Sequence, residues 1–314
     1  MDCRVGKILL VGCLLGCLDV SLTVAAILGS TKPIYTGYVP GENGRQRASE
    51  IISEVVDNGY GGRNSSFHSR SDFASLVAIY EHYQQNKNSF KSPHQRYSWC
   101  RRHAMDANAL AEVEGLRRQF KDVLVDANFA SSDAVNENNH DPAFLECVLV
   151  SALYPNIAVL ERPKQSGKSG GGRLVTKTGE KAKPHFTSFQ SKRVREASST
   201  GKDAYAVYHS KHRSVTQGGV GTTTLLGVSF VSRFALLLFA GTENNSRVED
   251  GCIVINNFLK FRIGTGGECS GDDAAMLVRE MRKALDDLLL ERLGGQMGSD
   301  KLLKVASTLR KLLE

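Results

Sequence analysis

The longest apolar run lies near the start of the chain, where residues 8–29 read ILLVGCLLGCLDVSLTVAAILG. A transmembrane helix would have the right length. However, Asp19 falls near its middle, where a carboxylate costs about 2.5–3.5 kcal/mol. A signal peptide fits better, since Arg4 and Lys7 precede the apolar stretch Ile8 to Leu18, although no clean Ala-x-Ala cleavage site follows. A helical hairpin explains more of the residues. Gly16 can end one helix in a left-handed cap, and Asp19 can accept backbone N–H bonds as N-cap of the next. The helices would cover roughly residues 4–15 and 20–28, apolar all round because they are buried on all sides. Gly29, Ser30 and Pro33 close the second. Hydropathy alone leaves both the hairpin and the signal peptide open.

Residues 31–70 read as a polar connector, with a short helix at RASEIISEVVDN. Ser71-Asp72 then cap a helix whose Phe73, Leu76, Val77 and Tyr80 follow at i, i+3, i+4, i+7. A further helical run, QRYSWCRRHAMDANALAEVEGLRRQFKDVL, places Leu110, Val113, Leu116, Phe120 and Val123 on one stripe, with Arg117, Arg118 and Lys121 opposite. PAFLECVLVSALYP starts at Pro142 and stops at Pro155, as a helix does. After that the texture changes. NIAVLER, GRLVTKT, DAYAVYHSKH, FALLLFAG and GCIVINNFLKFRI are short β-rich runs separated by Gly, Ser and Asn, which predicts a small five-stranded barrel or sandwich. From Asp272 the pattern is helical again, with a capping box at Ser270-x-x-Asp273 and an apolar face of Met276, Leu277, Met281, Leu285, Leu288 and Leu289. Gly294-Gly295 separates it from a last helix, DKLLKVASTLRKLL. The expected fold class is α+β and multidomain. A helical bundle over 1–155 is followed by a five-stranded barrel over 156–265, carrying a basic insertion at 161–183, and by C-terminal helices over 270–314.

Charge sharpens this picture. The chain has 314 residues and a net charge of +7. Between Glu161 and Arg213 there are 13 Lys/Arg against 4 Asp/Glu, so the rest of the chain is slightly acidic. A basic excess concentrated on a small barrel suits a polyanion, most simply a phosphate backbone, although such a run can also be only a solvated loop. The seven cysteines, at 3, 13, 17, 100, 147, 252 and 269, contain no CxxC pair and no zinc spacing. Reduced, mostly buried thiols of an intracellular protein, cytoplasmic or nuclear, are the expected state.

Three motifs imitate catalysis. Gly167-Lys168-Ser169 ends like a P-loop, but position 162 is Arg where glycine is needed. The same stretch spells G-x-S-x-G, yet it is followed by loop and strand rather than by a helix. Cys100 and His103 stand at i, i+3 and read as a core cysteine beside a surface histidine. His209 and His212 have no third ligand, which favours phosphate contact or exposure over metal binding. No catalytic site is expected from the residues.

Eight stretches, in order, resemble the C-terminal half of DEAH-box/RNA helicase A-type RNA helicases: RVGKILLVGCLLGCLDVSLTVAAIL, SDFASLVAIYEHY, WCRRHAMDANALAEVEGLRRQF, ALYPNIAVL, KPHFTSFQ, YAVYHSKH, FALLLFAG and VREMRKALDDLL. The resemblance implies a helical ratchet (helicase-associated) domain, an oligonucleotide-binding (OB) fold and a C-terminal helix. It makes the apolar run a buried hairpin and the sequons at Asn64 and Asn244 accidental. It also implies a C-terminal portion, either a truncated gene model or a short paralogue, without the RecA-like domains that carry the P-loop and the Asp-Glu-Ala-His motif. ATP and magnesium then belong to the parent helicase, which moves 3′-to-5′ along RNA, and no cofactor is expected in this chain. The implied RNA contacts are Arg101, Arg102, Arg117 and Arg118 on the ratchet, with Lys183, His185, Lys192, Arg193 and Lys211 on the barrel. Expected partners are single-stranded or structured RNA, the RecA domains or a helicase-activating protein, and no membrane. The sequence departs from the family at Phe186, where proline usually follows the histidine, and at Arg233, which replaces a common proline. Two other readings stay open: a protein-interaction module binding helicase regulators, and a secreted or anchored glycoprotein.

Overall fold

The computed structural model describes residues 2–60, 70–129, 133–161, 173–196, 205–215, 221–242, 245–262 and 271–294. The apolar run is a helical hairpin of α1 (Cys3–Leu14) and α2 (Leu18–Gly29). Asp2 caps α1 by accepting from the Arg4 amide at 2.9 Å. Gly16 turns the chain with φ +69°, a conformation that costs any other residue about 1–2 kcal/mol. The two helices cross closely at Gly12, where an added Cβ would lie 2.3 Å from Ser21 Oγ. Ile8, Leu15, Cys17, Val24, Ala25 and Ala26 are completely buried. None of the described helices is long and apolar enough to cross a membrane.

Asp19 does not cap α2. The N-cap is Cys17, without a side-chain bond. The free amides of the first turn are satisfied from elsewhere: Asn136 Oδ1 accepts from Asp19 N at 2.9 Å, and Asn139 Oδ1 accepts from Val20 N at 2.8 Å. The Asp19 carboxylate turns instead to Arg117.

Around the hairpin pack α3 (Gly44–Asp57), α4 (Asp72–Asn86), α5 (Pro93–Arg102), α6 (Ala107–Asp126) and α7 (Pro142–Leu153). The run expected as one helix from Gln95 is thus two. Ala104 takes a left-handed φ of +55°, and Asp106 then caps α6 by accepting from Asn108 N and Ala109 N. Along α6, Leu110, Val113 and Phe120 are buried as expected, whereas Val123 is 52% exposed and Leu124 takes the core position. Every residue of α7 from Phe144 to Leu153 is buried.

The second half is mixed. Strands β1 (Ile157–Glu161), β2 (Arg173–Thr176), β3 (Lys181–Pro184), β4 (Tyr205–Val215) and β5 (Gly221–Val231) close a ring in the order β1-β2-β3-β5-β4. The β3–β5 pair is parallel and the other pairs are antiparallel. Leu174, Ala182, Ala206, Leu225, Val228 and Phe230 form one buried cluster, joined by Val194 of α8 (Ser191–Glu196).

The strand membership differs from the expected one in three places. FALLLFAG is not a strand but α9 (Arg233–Phe239), started by Ser232, whose hydroxyl accepts from Ala235 N. GCIVINNFLKFRI forms β7 (Cys252–Ile255) and β8 (Leu259–Arg262) of a separate sheet with β6 (Ser246–Glu249). Their places in the ring go to β3 and β5, whose KAKP and GTTTLLGVSFV lack a clean apolar alternation. Gly227, at φ +61°, explains the weak pattern of β5, because it interrupts the alternation midway.

The last described helix, α10 (Gly271–Leu293), also faces differently from its expected stripe: Met276 and Leu277 are exposed, while Arg282 is buried. Arg282 donates to the carbonyls of Leu237, of Ala240 at 2.6 Å and of Thr242 at 3.2 Å. It therefore caps the C-terminal end of α9 with charge-assisted bonds. Ser270 of the expected capping box, the helix expected after Gly295, both sequons and Gly167-Lys168-Ser169 lie outside the described residues.

Candidate nucleic-acid interface

The connector expected after α2 is a strap that joins the helical half to the ring. Glu112 of α6 holds its start, accepting from Ser30 Oγ, Thr31 N and Thr31 Oγ1 at 2.9–3.1 Å. These bonds keep the Glu112 carboxyl below its ordinary range. The strap then pairs with the α5–α6 turn, with Tyr35 bridging Met105, Thr36 N donating to Ala104 O and Asp106 N donating to Ile34 O. On its other side it meets the turn after β3. The Tyr35 and Phe189 rings lie 5.1 Å apart, and Gly37 packs beside Thr187. Between strap, α2, α4 and ring runs a cleft of about 270 Å³, lined mainly by apolar groups with Lys32, His185 and His209 among them.

Two polar joints, one buried and one partly exposed, fix the halves around that cleft. Asp72, buried at the start of α4, reaches across the seam. Its carboxylate accepts from Ser188 Oγ and Phe189 N, both at 3.0 Å, and from Val228 N at 2.8 Å. Burial still dominates and pushes its pKa up to about 6. Ser71, next to it, bridges Ser229 through backbone and hydroxyl. The second joint is Arg4, which donates to His209 O at 2.7 Å, an oxygen that Asn156 Nδ2 also reaches. The sequence marks Ser71-Asp72 only as a cap and Arg4 only as a basic residue, because their partners lie more than 100 residues away.

The residues expected to touch RNA fall into three settings. Arg101 and Arg102 stand exposed at the end of α5; Arg101 shares a surface hollow with Thr36 of the strap and with His94 and Tyr97. His185 lies at the other side of the strap, and Lys183 stands two residues before it on β3. Lys183 is exposed and forms no ion pair among the described residues, and it pairs through Thr224 with His212 in one row across β3, β5 and β4. His185 hydrogen-bonds Thr187 Oγ1, and burial followed by the nearby His212 lowers its pKa. Lys192 is exposed on α8, and the side chain of Arg193 lies outside the described residues. Arg117 and Lys211 are already engaged. Arg117 donates to Asp19 O and Thr23 Oγ1, pairs with the Asp19 carboxylate at 2.6 Å and lies over the Tyr80 ring. Lys211 pairs with Glu180 at 2.6 Å, which raises its pKa. Arg118 is exposed on α6.

The decoys resolve as core. The Cys100 thiol is buried and pushed up to about 11, so it is no thiolate. His103 stacks on Trp99 with ring centroids 4.0 Å apart. Among the described residues no three His, Cys, Asp or Glu side chains are grouped to hold a metal.

The model of the ratchet-like helicase-associated domain (HA2) matches residues 2–111. The chain is 25% identical over 329 residues to DHX57 of Mus musculus, covering 93% of this chain and 21% of that protein. It is 25% identical over 296 residues to the ATP-dependent DNA/RNA helicase DHX36 of Mus musculus, covering 92% of this chain and 26% of that protein. It is also 25% identical over 296 residues to the ATP-dependent RNA helicase DExH1 of Arabidopsis thaliana, again 26% of that protein. The chain thus spans about a quarter or less of the length of these relatives. Residues 2–111 match a ratchet-like helicase-associated domain, and the chain is similar, over more than nine-tenths of its length, to a portion of these helicases.

Proposed function

We propose that the chain is the RNA-binding C-terminal module of a DEAH-type ATP-dependent RNA helicase. In this reading its five-stranded ring is an oligonucleotide-binding fold, and the complete helicase couples ATP hydrolysis to 3′-to-5′ movement along RNA. ATP and magnesium act in the RecA-type domains of that helicase. The observation that carries the reading is the strap, which sets Arg101 on one flank and His185, two residues after Lys183 on β3, on the other, beside an open cleft. A single strand laid along it would meet Arg101, Arg102, Lys183, His185 and Lys192, with Arg118 further along α6. Arg193 follows Lys192 in the basic segment and would add to the same charge. Arg117 and Lys211 could join only by giving up Asp19 and Glu180, so they serve first as supports.

Binding of labelled single-stranded RNA across a salt series tests this. Each phosphate neutralised steepens the log–log slope by about 0.7 for a single strand. A slope of about −3, flattened stepwise when Arg101, Lys183, Lys192 and Arg193 are made neutral, is expected. Salt-insensitive binding would favour a surface that docks a protein regulator, and no binding at low salt would refute the RNA reading.

A further inference from the structure

Phe186 departs from the family pattern, and it is 73% exposed, more than any other large hydrophobic side chain among the described residues. Full burial of a phenylalanine is a substantial stabilising contribution, and this ring forgoes most of it. It is held in place nevertheless. The His185 ring lies 4.2 Å from it, tilted by 43°, and the guanidinium of Arg45, at the start of α3, lies 5.8 Å from its centroid. A second exposed ring, Tyr38 at 52%, borders the same first turn of α3. Gly44 makes that contact possible, because a Cβ there would lie 2.4 Å from the Tyr38 ring. Lys183, three residues before Phe186, is exposed and unpaired among the described residues.

We propose that Phe186 is a stacking platform for one unpaired nucleobase of a bound RNA strand, with Arg45 and Lys183 receiving the flanking phosphates. An exposed aromatic ring with the Arg45 guanidinium over it, and with exposed Lys183 three residues before it in the chain, suits a base attached to a phosphodiester. Base–aromatic stacking is also tolerant of base identity. A protein side chain would be a weaker match, since the cations would then face no obligatory charge. The inference rests on the RNA-binding reading and adds a contact to the base, where that reading supplies phosphate contacts. No covalent step is involved.

The test uses the full chain and a short single-stranded RNA carrying 2-aminopurine, alongside a matched strand with abasic positions. In the unaltered protein, binding should quench 2-aminopurine, and the abasic strand should bind about tenfold more weakly. Phe186→Leu should lose both the quenching and the preference for bases while keeping the salt slope, and Phe186→Trp should keep both. Stacking is overturned if Phe186→Leu still quenches and still prefers the base-bearing strand, while Lys183→Ala weakens binding to both strands. That outcome leaves the RNA reading intact. Failure of the unaltered chain to bind either strand at low salt removes the RNA reading and the stacking with it.

Discussion

Asp72 concentrates the physical tension of this molecule in one side chain. Donors from β5 and from the turn after β3 point at its carboxylate, yet burial raises its pKa from 3.8 to about 6. A carboxyl with a raised folded-state pKa binds its proton more tightly when folded. Its contribution to stability is therefore complete below about pH 4 and is lost as pH rises through about 6. The difference is on the order of 2–3 kcal/mol. Asp72→Asn turns one acceptor into a donor facing an N–H and should cost about 1–3 kcal/mol at neutral pH. The gap between the two proteins in urea unfolding should widen between pH 7 and pH 4, and a constant gap would show that Asp72 does not titrate there. Trp99, the one tryptophan of the chain, offers a second residue-scale readout. The ring of His82 lies 5.4 Å away, and burial, followed by the nearby His103, lowers its pKa. Protonated imidazole quenches indole. In His103→Gln, Trp99 emission should fall on acidification with a midpoint below 6.5, and His82→Gln should abolish that step.

At the scale of elements, the informative failure is α9. FALLLFAG is apolar in every direction, so its period cannot separate a buried strand from a buried helix. Ser232 and Arg282 decide the matter, one at each end. Arg282→Met would leave the carbonyls of Leu237, Ala240 and Thr242 without their charged donor, at a cost of about 3 kcal/mol or more. Hydrogen exchange should then accelerate in α9 and α10 while α1 and α2 stay protected. Uniform protection in the variant would mean that packing alone holds α10. The hairpin shows the opposite case. Its turn glycine and the apolar faces of both helices were legible, and only the source of the cap for α2 was not, because Asn136 and Asn139 arrive from more than 100 residues away.

Across the whole molecule, the helical half and the ring meet through few but well-placed polar contacts: Arg4 on His209, Asp72 on Phe189 and Val228, and Glu146 of α7 on Ser232 N. Arg4 is partly exposed and also pairs with Asp2, so its share of the seam is modest, about 1 kcal/mol after solvent screening. Arg4→Met should therefore speed amide exchange along both α1 and β4 with little loss of global stability. If only α1 responds, the seam is carried by the contacts of Asp72, Ser71 and Glu146 without Arg4. An RNA strand lying along the strap would touch both halves at once, so binding and seam rigidity are coupled in the proposed function.

The sequence alone determined the order of helical then mixed halves, most helix starts and the concentration of basic charge, because periodicity, capping and composition act within a few residues; it left the hairpin beside a signal peptide until the family resemblance was read. The family resemblance was legible for the same reason, as short runs in a fixed order. Tertiary structure decided which strands close the ring, since β3 and β5 are specified by their partners rather than by alternation. It also decided that Arg117 and Lys211 are engaged by Asp19 and Glu180 while Lys183 and Arg101 stand open. An arginine reads the same in sequence whether a carboxylate faces it or not. Only the fold brings Asp72 to Val228, and Phe186 to Arg45.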